Sequence, residues 1–495
     1  MCTLSVQASC GEMWDVLFEV DWDGSVLYGA KSDVMSAALR GDDMRIHLPP
    51  DRYLEVDDIF IKNGVVCTSS IFVLSKTSWD TFEPNMYWNF VKVCDHGLVH
   101  FGKTCLGKPE TPSTSPPTGM HSIWFSRRLW KNQFRVNPTY CNLADGSPTC
   151  GNVRDLIYAV EEGMSVRVLT NPGRIKQFIF SAHRVEVLRD KCGIASQTVW
   201  RVASKTGLYD FSQWFTTTFY WFVTLKSSSG TKEVSRPHIG SATSDRQSFS
   251  DTTDNYWFID YCWDHVFSQN SSGVATLGSK QELLNMMFKG RRVRIVFDGY
   301  AMGADNIVIQ NDIITAQLLG QVVSKTETLQ LPGNVISKLV RISTNGEIFT
   351  DLYQLGTSLK MGSNRSTIAA SWFVDTRLWR LVLGTDLNGL AIVGSKLDLR
   401  KAIHAGSRLR CVVKKSPTES LFITADNIEE NTDGNMAAQF FRLVEFDDND
   451  ISFLPFWRIL ILTTNGEMKE TRWTVGEHEN RGDIVSKVAI DWFVD

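Results

Sequence analysis

The sequence predicts a mainly β protein of the α+β class, made of four tandem homologous β-rich units. Three observations predict this class: a glycine and arginine spacing that occurs four times, alternating apolar strands around it, and turn-forming dipeptides between those strands. Each unit is expected to contain about seven to eight strands and one short helix. We expect each unit to close as an antiparallel barrel or sandwich, because closure removes exposed sheet edges.

The repeated spacing predicts the helices. Two glycines and an arginine lie at offsets 0, 12 and 16 in four places: Gly29, Gly41, Arg45; Gly151, Gly163, Arg167; Gly278, Gly290, Arg294; and Gly394, Gly406, Arg410. Between the glycines, apolar residues recur at i, i+3 and i+4, as one buried helix face requires. The pattern predicts helices over 31–40, 153–162, 280–289 and 396–405, each ended by a glycine in the left-handed conformation.

The helix starts differ in their capping residues. Ser279 and Ser395 each lie three residues before an acidic residue, which is the spacing of a capping box, and Asn152 is an equally good N-cap. The first copy has Ala30 in this position. We therefore expect the first helix to begin without a side-chain cap.

Tryptophans at fixed places predict the limits of the units. Each unit opens with a tryptophan and closes with a Trp-Phe pair; the opening residues are Trp14, Trp130, Trp263 and Trp379, and the closing ones Trp124, Trp257, Trp372 and Trp492. The predicted units are residues 10–127, 128–260, 261–375 and 376–495. Only a few residues separate one closing tryptophan from the next opening one, so neighbouring units must touch.

Composition limits the classes of partner. The chain has 495 residues and a formal net charge of −4, which gives no electrostatic reason to expect nucleic acid as a partner. No apolar run is long enough to predict a transmembrane segment. The N-terminus lacks the pattern of a signal peptide. We therefore expect a cytoplasmic monomer, or alternatively a secreted protein whose signal peptide is absent from this chain.

The ten cysteines are unevenly placed, since eight of them lie before residue 193. A disulfide framework shared by all units would recur in each, and this one does not. Cys141 and Cys150 flank an insertion in the second unit and are the best candidate disulfide. Reduced, buried thiols are the alternative interpretation.

The four repeated arginines are candidate ligand-binding residues. Arg45, Arg167, Arg294 and Arg410 each follow a predicted helix and could bind carboxylates or phosphates through bidentate hydrogen bonds. The alternative is that each arginine pairs with an acidic residue of its own unit and fixes the sheet. The candidate partners are Asp58, Asp312 and Asp426, with His183 at the matching place of the second unit.

A second candidate site is the run Cys94, His96, His100 and Cys105 in the first unit. Thiolate and imidazole are the ligands that tetrahedral zinc prefers. A hairpin turn is predicted at His96-Gly97, however, and it would place Cys105 far along the returning strand from Cys94. No other unit contains the set.

Four polar segments before the closing tryptophans are predicted to be loops that carry binding specificity. They cover residues 108–123, 241–256, 357–371 and 477–491, and the last contains the adhesion tripeptide Arg481-Gly482-Asp483. Sequons begin at Asn270 and Asn364 and matter only if the protein is secreted. Aromatic residues would fill the interior of each barrel or line an apolar cavity.

The sequence favours a non-enzymatic binding or structural protein. A rigid array of four units would present loops or barrel mouths to a small molecule, a glycan or a protein partner. The alternative is an enzyme with a single, possibly metal-assisted active site in residues 1–260, where the cysteines and histidines of the candidate metal site lie. No nucleotide or hydrolase motif occurs in the sequence, so it assigns no cofactor and no catalytic residue.

Overall fold

The computed structural model describes most of the chain. The described residues are 14–50, 52–56, 58–74, 87–105, 113–114, 117–128, 130–136, 148–170, 176–181, 184–188, 193–200, 222–227, 231–237, 244–252, 255–304, 306–322, 336–354, 360–416, 418–425, 427–430, 434–444, 456–474 and 480–495.

The chain is mostly β, with one short helix near the start of each quarter. Residues 14–127 form β1 (Asp15–Val20), β2 (Val26–Gly29), α1 (Lys31–Leu39), β3 (Asp43–Leu48), β4 (Arg52–Glu55), β5 (Asp58–Lys62), β6 (Val65–Leu74), β7 (Tyr87–Cys94), β8 (Leu98–Cys105), β9 (Ser113–Thr114), β10 (Thr118–Gly119) and β11 (Ser122–Arg127). Residues 130–260 form β12 (Trp130–Val136), β13 (Pro148–Cys150), α2 (Val153–Glu161), β14 (Ser165–Thr170), β15 (Lys176–Ser181), β16 (Arg184–Leu188), β17 (Gly193–Trp200), β18 (Phe222–Ser227), β19 (Thr231–Pro237), β20 (Ser244–Thr252) and β21 (Asn255–Asp260).

The second half of the chain follows the same order. Residues 263–375 form β22 (Trp263–Gln269), β23 (Ala275–Gly278), α3 (Lys280–Phe288), β24 (Val293–Phe297), β25 (Tyr300–Gly303), β26 (Asn306–Gln310), β27 (Ile313–Val322), β28 (Ile336–Ser343), β29 (Glu347–Gln354), β30 (Lys360–Thr367) and β31 (Ala370–Asp375). Residues 380–494 form β32 (Arg380–Thr385), β33 (Ala391–Gly394), α4 (Lys396–His404), β34 (Leu409–Ser416), β35 (Glu419–Thr424), β36 (Asn427–Glu430), β37 (Met436–Val444), β38 (Phe456–Thr463), β39 (Glu467–Thr474), β40 (Asn480–Lys487) and β41 (Ala489–Val494).

These strands form four sheets of equivalent strand order. The orders are β2-β1-β11-β3-β4-β36-β37-β38-β39-β40 in the first sheet, β10-β8-β7-β6-β5-β15-β14-β21-β12-β13 in the second with β9 beside β8, β20-β19-β18-β17-β16-β25-β24-β31-β22-β23 in the third, and β30-β29-β28-β27-β26-β35-β34-β41-β32-β33 in the fourth. None of the four sheets closes on itself within the described residues. The predicted closed barrel is therefore wrong.

Each sheet joins strands from two of the predicted units. The joining pairs are β5 with β15, β16 with β25, and β26 with β35, all antiparallel. The fourth pair, β4 with β36, joins the end of the chain to its beginning. The sheets are thus linked in a cycle, and a single unit contributes strands to two of them. The limits of the units themselves stay a prediction.

The apolar core lies between neighbouring sheets. One cluster of buried residues packs the first sheet on the second, with Phe18, Ile59 and Trp124 among its members. Three further clusters pack the second sheet on the third, the third on the fourth, and the fourth on the first. Burial of apolar side chains between sheets is the main favourable term that holds such layers together.

The helices begin at the predicted residues and end one residue earlier than predicted. The Ser279 and Ser395 hydroxyls accept hydrogen bonds from the backbone N–H of Glu282 and Asp398, and Asn152 accepts one from the N–H of Arg154. No side chain caps the helix at Ala30. The differences in capping predicted from the sequence are confirmed.

The predicted specificity loops are largely strands, so that part of the sequence interpretation is wrong. The outermost strands β20, β30 and β40 cover most of the segments 241–256, 357–371 and 477–491. Gly482 and Asp483 of the adhesion tripeptide lie on β40 and are exposed. The segment 108–123 contains the short strands β9 and β10 and the start of β11, with gaps in the described residues between them.

The glycine after each helix has a positive φ, between +75° and +89°, as predicted for a left-handed residue. Each also lies against a phenylalanine of a neighbouring unit: Gly41 against Phe258, Gly163 against Phe373, Gly290 against Phe493, and Gly406 against Phe125. A Cβ atom on Gly406 would lie 2.6 Å from Cδ1 of Phe125. Glycine is therefore required here both by the backbone conformation and by close packing.

We expect Gly406→Val to lower the free energy of unfolding by about 2–5 kcal/mol, because left-handed strain and overpacking add. Gly64→Val is the matched control, since Gly64 has a φ of +77° but no atom within 4 Å of its Cβ direction. Gly64→Val should lower the free energy of unfolding by only about 1–2 kcal/mol. Chemical denaturation of both variants measures the difference, and equal losses would show that the contact with Phe125 is unimportant.

Candidate functional site: a cluster of arginines and aspartates between the sheets

Two of the repeated arginines bind carbonyl groups at the end of a helix in a neighbouring unit. Nη1 of Arg167 donates to the carbonyl oxygens of Gly41 and Asp42, at 2.5 and 2.7 Å. Nη1 of Arg45 donates to the carbonyl oxygens of Gly406, at 2.8 Å, and of Ser407. A helix C-terminus presents unpaired carbonyls and a partial negative charge, so a buried guanidinium is well placed there.

The bond from Arg45 crosses from the first unit to the fourth. It therefore links the same two predicted units that the pairing of β4 with β36 joins. Arg294 donates from Nη1 to Oγ of Ser165, at 3.2 Å, and Arg410 is buried. The structure thus places Arg45, Arg167 and Arg294 at contacts between the predicted units, and ligand binding by any of the four arginines stays a prediction.

The acidic partners predicted from the sequence are not the ones described. Asp312 is exposed in a turn, and the side chains of Asp58, His183 and Asp426 lie outside the described residues. Arg167 instead pairs with Asp43 of the preceding unit, at 2.9 Å. Nε of Arg45 lies 3.3 Å from Glu55, an acidic residue of its own unit.

A larger cluster of buried charges surrounds these arginines. Oδ2 of Asp495 lies 2.7 Å from Nη1 of Arg127 and 2.7 Å from Nη2 of Arg408. Nε of Arg377 lies 2.6 Å from Asp375, and its Nη2 lies 3.4 Å from Asp260. These ion pairs connect the fourth sheet to the first, and the third sheet to the second.

Opening tryptophans complete the cluster with indole N–H donors. Trp130 donates to Asp43 at 2.9 Å, Trp14 to Asp495 at 3.3 Å, and Trp379 to Asp375 at 3.4 Å. Guanidinium groups also lie over the tryptophan rings, for example Arg127 over Trp14 with Cζ 4.6 Å from the ring centroid. Such cation–π contacts are stronger in a desolvated site than at a surface.

The arginines determine the protonation of the cluster. Although burial raises the pKa of Asp43 and of Asp495, nearby arginines outweigh it and hold both pKa values well below the usual range. Arg167 and Arg408 are the largest favourable contributors at Asp43, and Arg408 and Arg127 at Asp495. Burial lowers the pKa of Arg127 to about 10, so it still carries its charge at neutral pH. The cluster is therefore a network of fully ionised groups.

The predicted metal ligands do not form a site. Cys94 is bonded to Cys67 in a disulfide across β6 and β7, so its sulfur is not a free thiolate and its assignment as a ligand is wrong. His96 lies in the turn after β7 and His100 on β8 opposite Lys92. The side chain of Cys105 lies outside the described residues. Within the described ranges, no group of three or more His, Cys, Asp and Glu side chains could hold a metal ion.

Other cysteines are placed as follows. Cys262 is also disulfide-bonded, whereas Cys411 is free and buried, with a pKa raised well above its usual value by burial. The alternative of reduced thiols is therefore wrong for Cys67, Cys94 and Cys262. Cys141 lies outside the described residues, and so does the side chain of Cys150, so their pairing stays a prediction.

Sequence reasoning missed most of the cluster, although a signal was present. Asp260, Asp375 and Asp495 each lie three residues after a closing tryptophan, and Arg127 takes the same place in the first unit. Arg292 and Arg408 lie two residues before a repeated arginine, where the first unit has Asp43. Comparing charged residues at these fixed offsets would have indicated the cluster.

We expect Asp495→Asn to lower the free energy of unfolding by about 3–5 kcal/mol, because it leaves Arg127 and Arg408 buried without their carboxylate. The pKa of Asp495 is depressed in the folded chain, so its stabilising contribution is present above the unfolded value. That contribution is lost as the pH falls below about 4, where the unfolded chain takes up the proton first.

Thermal unfolding between pH 7 and pH 2 measures this dependence. The variant should lose less stability on acidification than the parent, while Asp264→Asn, at an exposed aspartate of β22, should follow the parent. Parallel pH curves for Asp495→Asn and the parent would contradict an ionised Asp495 in the folded protein.

Comparisons with known proteins give no family. No family model and no curated protein matches the chain. One solved structure found by comparison is that of the vaccine antigen transferrin binding protein B, a double mutant, from Haemophilus parasuis Hp5. It has 7% sequence identity and a TM-score of 0.10, with 86% of this chain and 85% of that chain covered. Among the residues that the structure describes, no helix is long and apolar enough to cross a membrane.

Proposed function

We propose that the protein is a non-enzymatic binding protein in which four homologous units form a rigid scaffold that presents sheet edges to a protein partner. The recurring arginines would then be part of the scaffold. Two contacts support that role: Arg45 and Arg167 use their guanidinium groups to bind backbone carbonyls of a neighbouring unit. These two guanidinium groups are buried, and they already donate hydrogen bonds to the protein itself.

The outermost strand β2 of the first sheet carries the proposal. All four of its residues are exposed, and three of them are large and apolar: Val26, Leu27 and Tyr28 have exposed fractions of 47%, 55% and 56%. Trp22, in the turn just before β2, is 66% exposed. Contiguous apolar exposure at a sheet edge is unusual for a protein without a partner.

The same arrangement occurs at two other sheet edges. The outermost strand β23 of the third sheet and the outermost strand β33 of the fourth are exposed at all four residues. Ile392 and Val393 of β33 are 64% and 48% exposed, and Leu390 just before it is 65% exposed. Equivalent exposed edges on several sheets would allow several contacts to one partner, and linked contacts raise the overall affinity.

An extended segment of a protein partner fits this surface. An added strand would satisfy the outward N–H and C=O groups of β2, while its side chains would contact the apolar residues on both faces. Trp22 and Tyr28 are the residue types that most often provide the main binding energy of an interface. Strands of only four residues limit pairing between copies of the protein, which favours a peptide segment as the occupant.

We expect a displayed library of ten-residue peptides to yield binders with alternating apolar residues that protect the amides of 26–29 from hydrogen exchange. Leu27→Lys should weaken such binders by about tenfold or more, because a charge replaces a buried apolar contact. Leu378→Lys is the matched control, because Leu378 is 76% exposed and lies between β31 and β32, outside every strand.

Two outcomes would contradict the proposal. In the first, no peptide protects these amides. In the second, both variants bind equally well, which would place the contact away from β2. Concentration-dependent dimerisation abolished by Leu27→Lys would instead identify a second copy as the occupant.

We also propose that the protein functions in an oxidising compartment, as a secreted protein would. The disulfide between Cys67 and Cys94, and the disulfide-bonded state of Cys262, support this location. The first disulfide links residues 27 positions apart in two paired strands. A crosslink of that length restricts the unfolded chain.

We expect the double variant Cys67→Ala, Cys94→Ala to lose about 2–4 kcal/mol of unfolding free energy through the greater entropy of its unfolded chain. Equilibrium denaturation measures the loss, and Cys411→Ala serves as the control for a buried thiol outside the crosslink. A non-reducing digest should contain the Cys67–Cys94 peptide pair. A free thiol at Cys67 in protein exported through an oxidising compartment would refute the crosslink.

A further inference from the structure

The residue two positions before each repeated arginine differs between the predicted units: Asp43 in the first, Ser165 in the second, and Arg292 and Arg408 in the third and fourth. Between the first and second units, Asp43 accepts hydrogen bonds from Nη2 of Arg167 and from Nε1 of Trp130, both at 2.9 Å. Between the second and third units, the corresponding residues are Ser165, Arg294 and Trp263. A serine therefore occupies the place of the aspartate.

The donors that Asp43 would satisfy have no acceptor at this second contact. Nη2 and Nε of Arg294 and Nε1 of Trp263 are buried without a hydrogen-bond partner among the described residues, and Ser165 accepts only from Nη1. Arg294 is 5% exposed and Trp263 is 4% exposed. Buried donors without acceptors are costly, so their coincidence at one place needs an explanation.

The residue opposite Arg294 is also smaller than the residue opposite Arg167. Nε of Arg167 donates to Oγ of Ser181, its cross-strand neighbour on β15. The corresponding neighbour of Arg294 on β25 is Gly303, which has no side chain to accept the bond. Among the described residues, Arg294 thus lacks the two acceptors that Arg167 has, and no atom lies within 4 Å of the Cβ direction of Gly303.

Charge favours an anion at this place. The Cζ atoms of Arg292, Arg294 and Arg377 lie 5.9, 5.5 and 5.9 Å from the ring centroid of Trp263. Arg377 is paired with Asp375 and Asp260, whereas the Nε–H and Nη2–H of Arg294 are buried without a hydrogen-bond partner among the described residues. Burial and the neighbouring Arg292 lower the pKa of Arg294 to about 10, although the carboxylate of Asp260 raises it, so Arg294 is charged at neutral pH.

We propose that Arg294 and Trp263 form a binding site for one small oxyanion, a carboxylate or a phosphate group, at the place beside Ser165. The Nε–H and Nη2–H of Arg294 point in parallel, and this fork matches two oxygens of such a group. The indole N–H of Trp263 donates to the oxygen that corresponds to Oδ1 of Asp43. The bound group replaces the side chain that the second unit lacks and approaches past Gly303.

The test uses the full-length protein with sodium acetate, inorganic phosphate and sodium chloride as separate probes. Isothermal titration calorimetry at constant ionic strength and pH 7 should show one acetate or phosphate bound per chain. The melting temperature should rise with the concentration of that anion, since a ligand that binds only the folded state stabilises it. Chloride is a single atom and cannot offer two oxygens to the fork, so it should not raise the melting temperature in this way.

Ser165→Asp supplies the missing carboxylate from the protein itself. This variant should melt at a higher temperature than the parent without added anion, and its affinity for acetate or phosphate should fall by about tenfold or more. Ser165→Ala is the matched control and should keep the binding, because it leaves the fork and the space beside Gly303 intact.

Three results would overturn the site. In the first, the parent binds neither acetate nor phosphate. In the second, Ser165→Asp binds these anions as tightly as the parent does. In the third, Ser165→Asp and Ser165→Ala lose the same amount of affinity. An effect of chloride as large as that of acetate would overturn the assignment to an oxyanion. These measurements do not involve the sheet edges, so they are independent of the proposed peptide binding.

Discussion

The pairing of β4 with β36 is the constraint on which the rest of the structure depends. It makes the end of the chain complete the first sheet, so that all four sheets are linked in a cycle. A half sheet exposes an apolar face that must pack against another layer to be stable. Since each predicted unit contributes strands to two sheets, the strands of one such unit do not form a complete sheet. Stability is therefore a property of the whole cycle, and the contacts between units decide whether it forms.

Local elements of the fold could be predicted from the sequence, and the sheet pairing could not. The helix starts and the left-handed glycines depend on a few adjacent residues, so the spacing of Ser395, Asp398 and Gly406 was sufficient to predict them. Strand pairing depends on residues far apart in sequence. An alternating pattern fits an intra-unit barrel as well as a sheet shared between neighbours, because both bury the same face. The predicted barrel failed for this reason. The segments predicted as loops failed because polar edge strands resemble loops in composition.

The candidate site was partly visible in the sequence. The repeated arginines were found because their type never changes, whereas the other charged residues exchange sign between units. Arg127 occupies the place of Asp260, Asp375 and Asp495, and Asp43 that of Arg292 and Arg408. A buried network tolerates such an exchange only if both partners change, since one uncompensated charge costs several kcal/mol. The first unit has both changes, and Asp43 and Arg127 lie 3.9 Å apart. Both the position and the type of each charged residue must therefore be compared between the units before the cluster can be recognised.

Where the predicted units differ in sequence, one contact between them can acquire a property that the equivalent contacts lack. Arg167 and Arg294 lie on equivalent strands, beside equivalent tryptophans at 4.7 and 5.5 Å. Ser165 and Gly303 occupy the places of Asp43 and Ser181, which provide two of the acceptors of Arg167, and Nε and Nη2 of Arg294 have no partner among the described residues. In the proposed site, two small residues at one contact would thus leave donors of a buried scaffold arginine available to a bound anion.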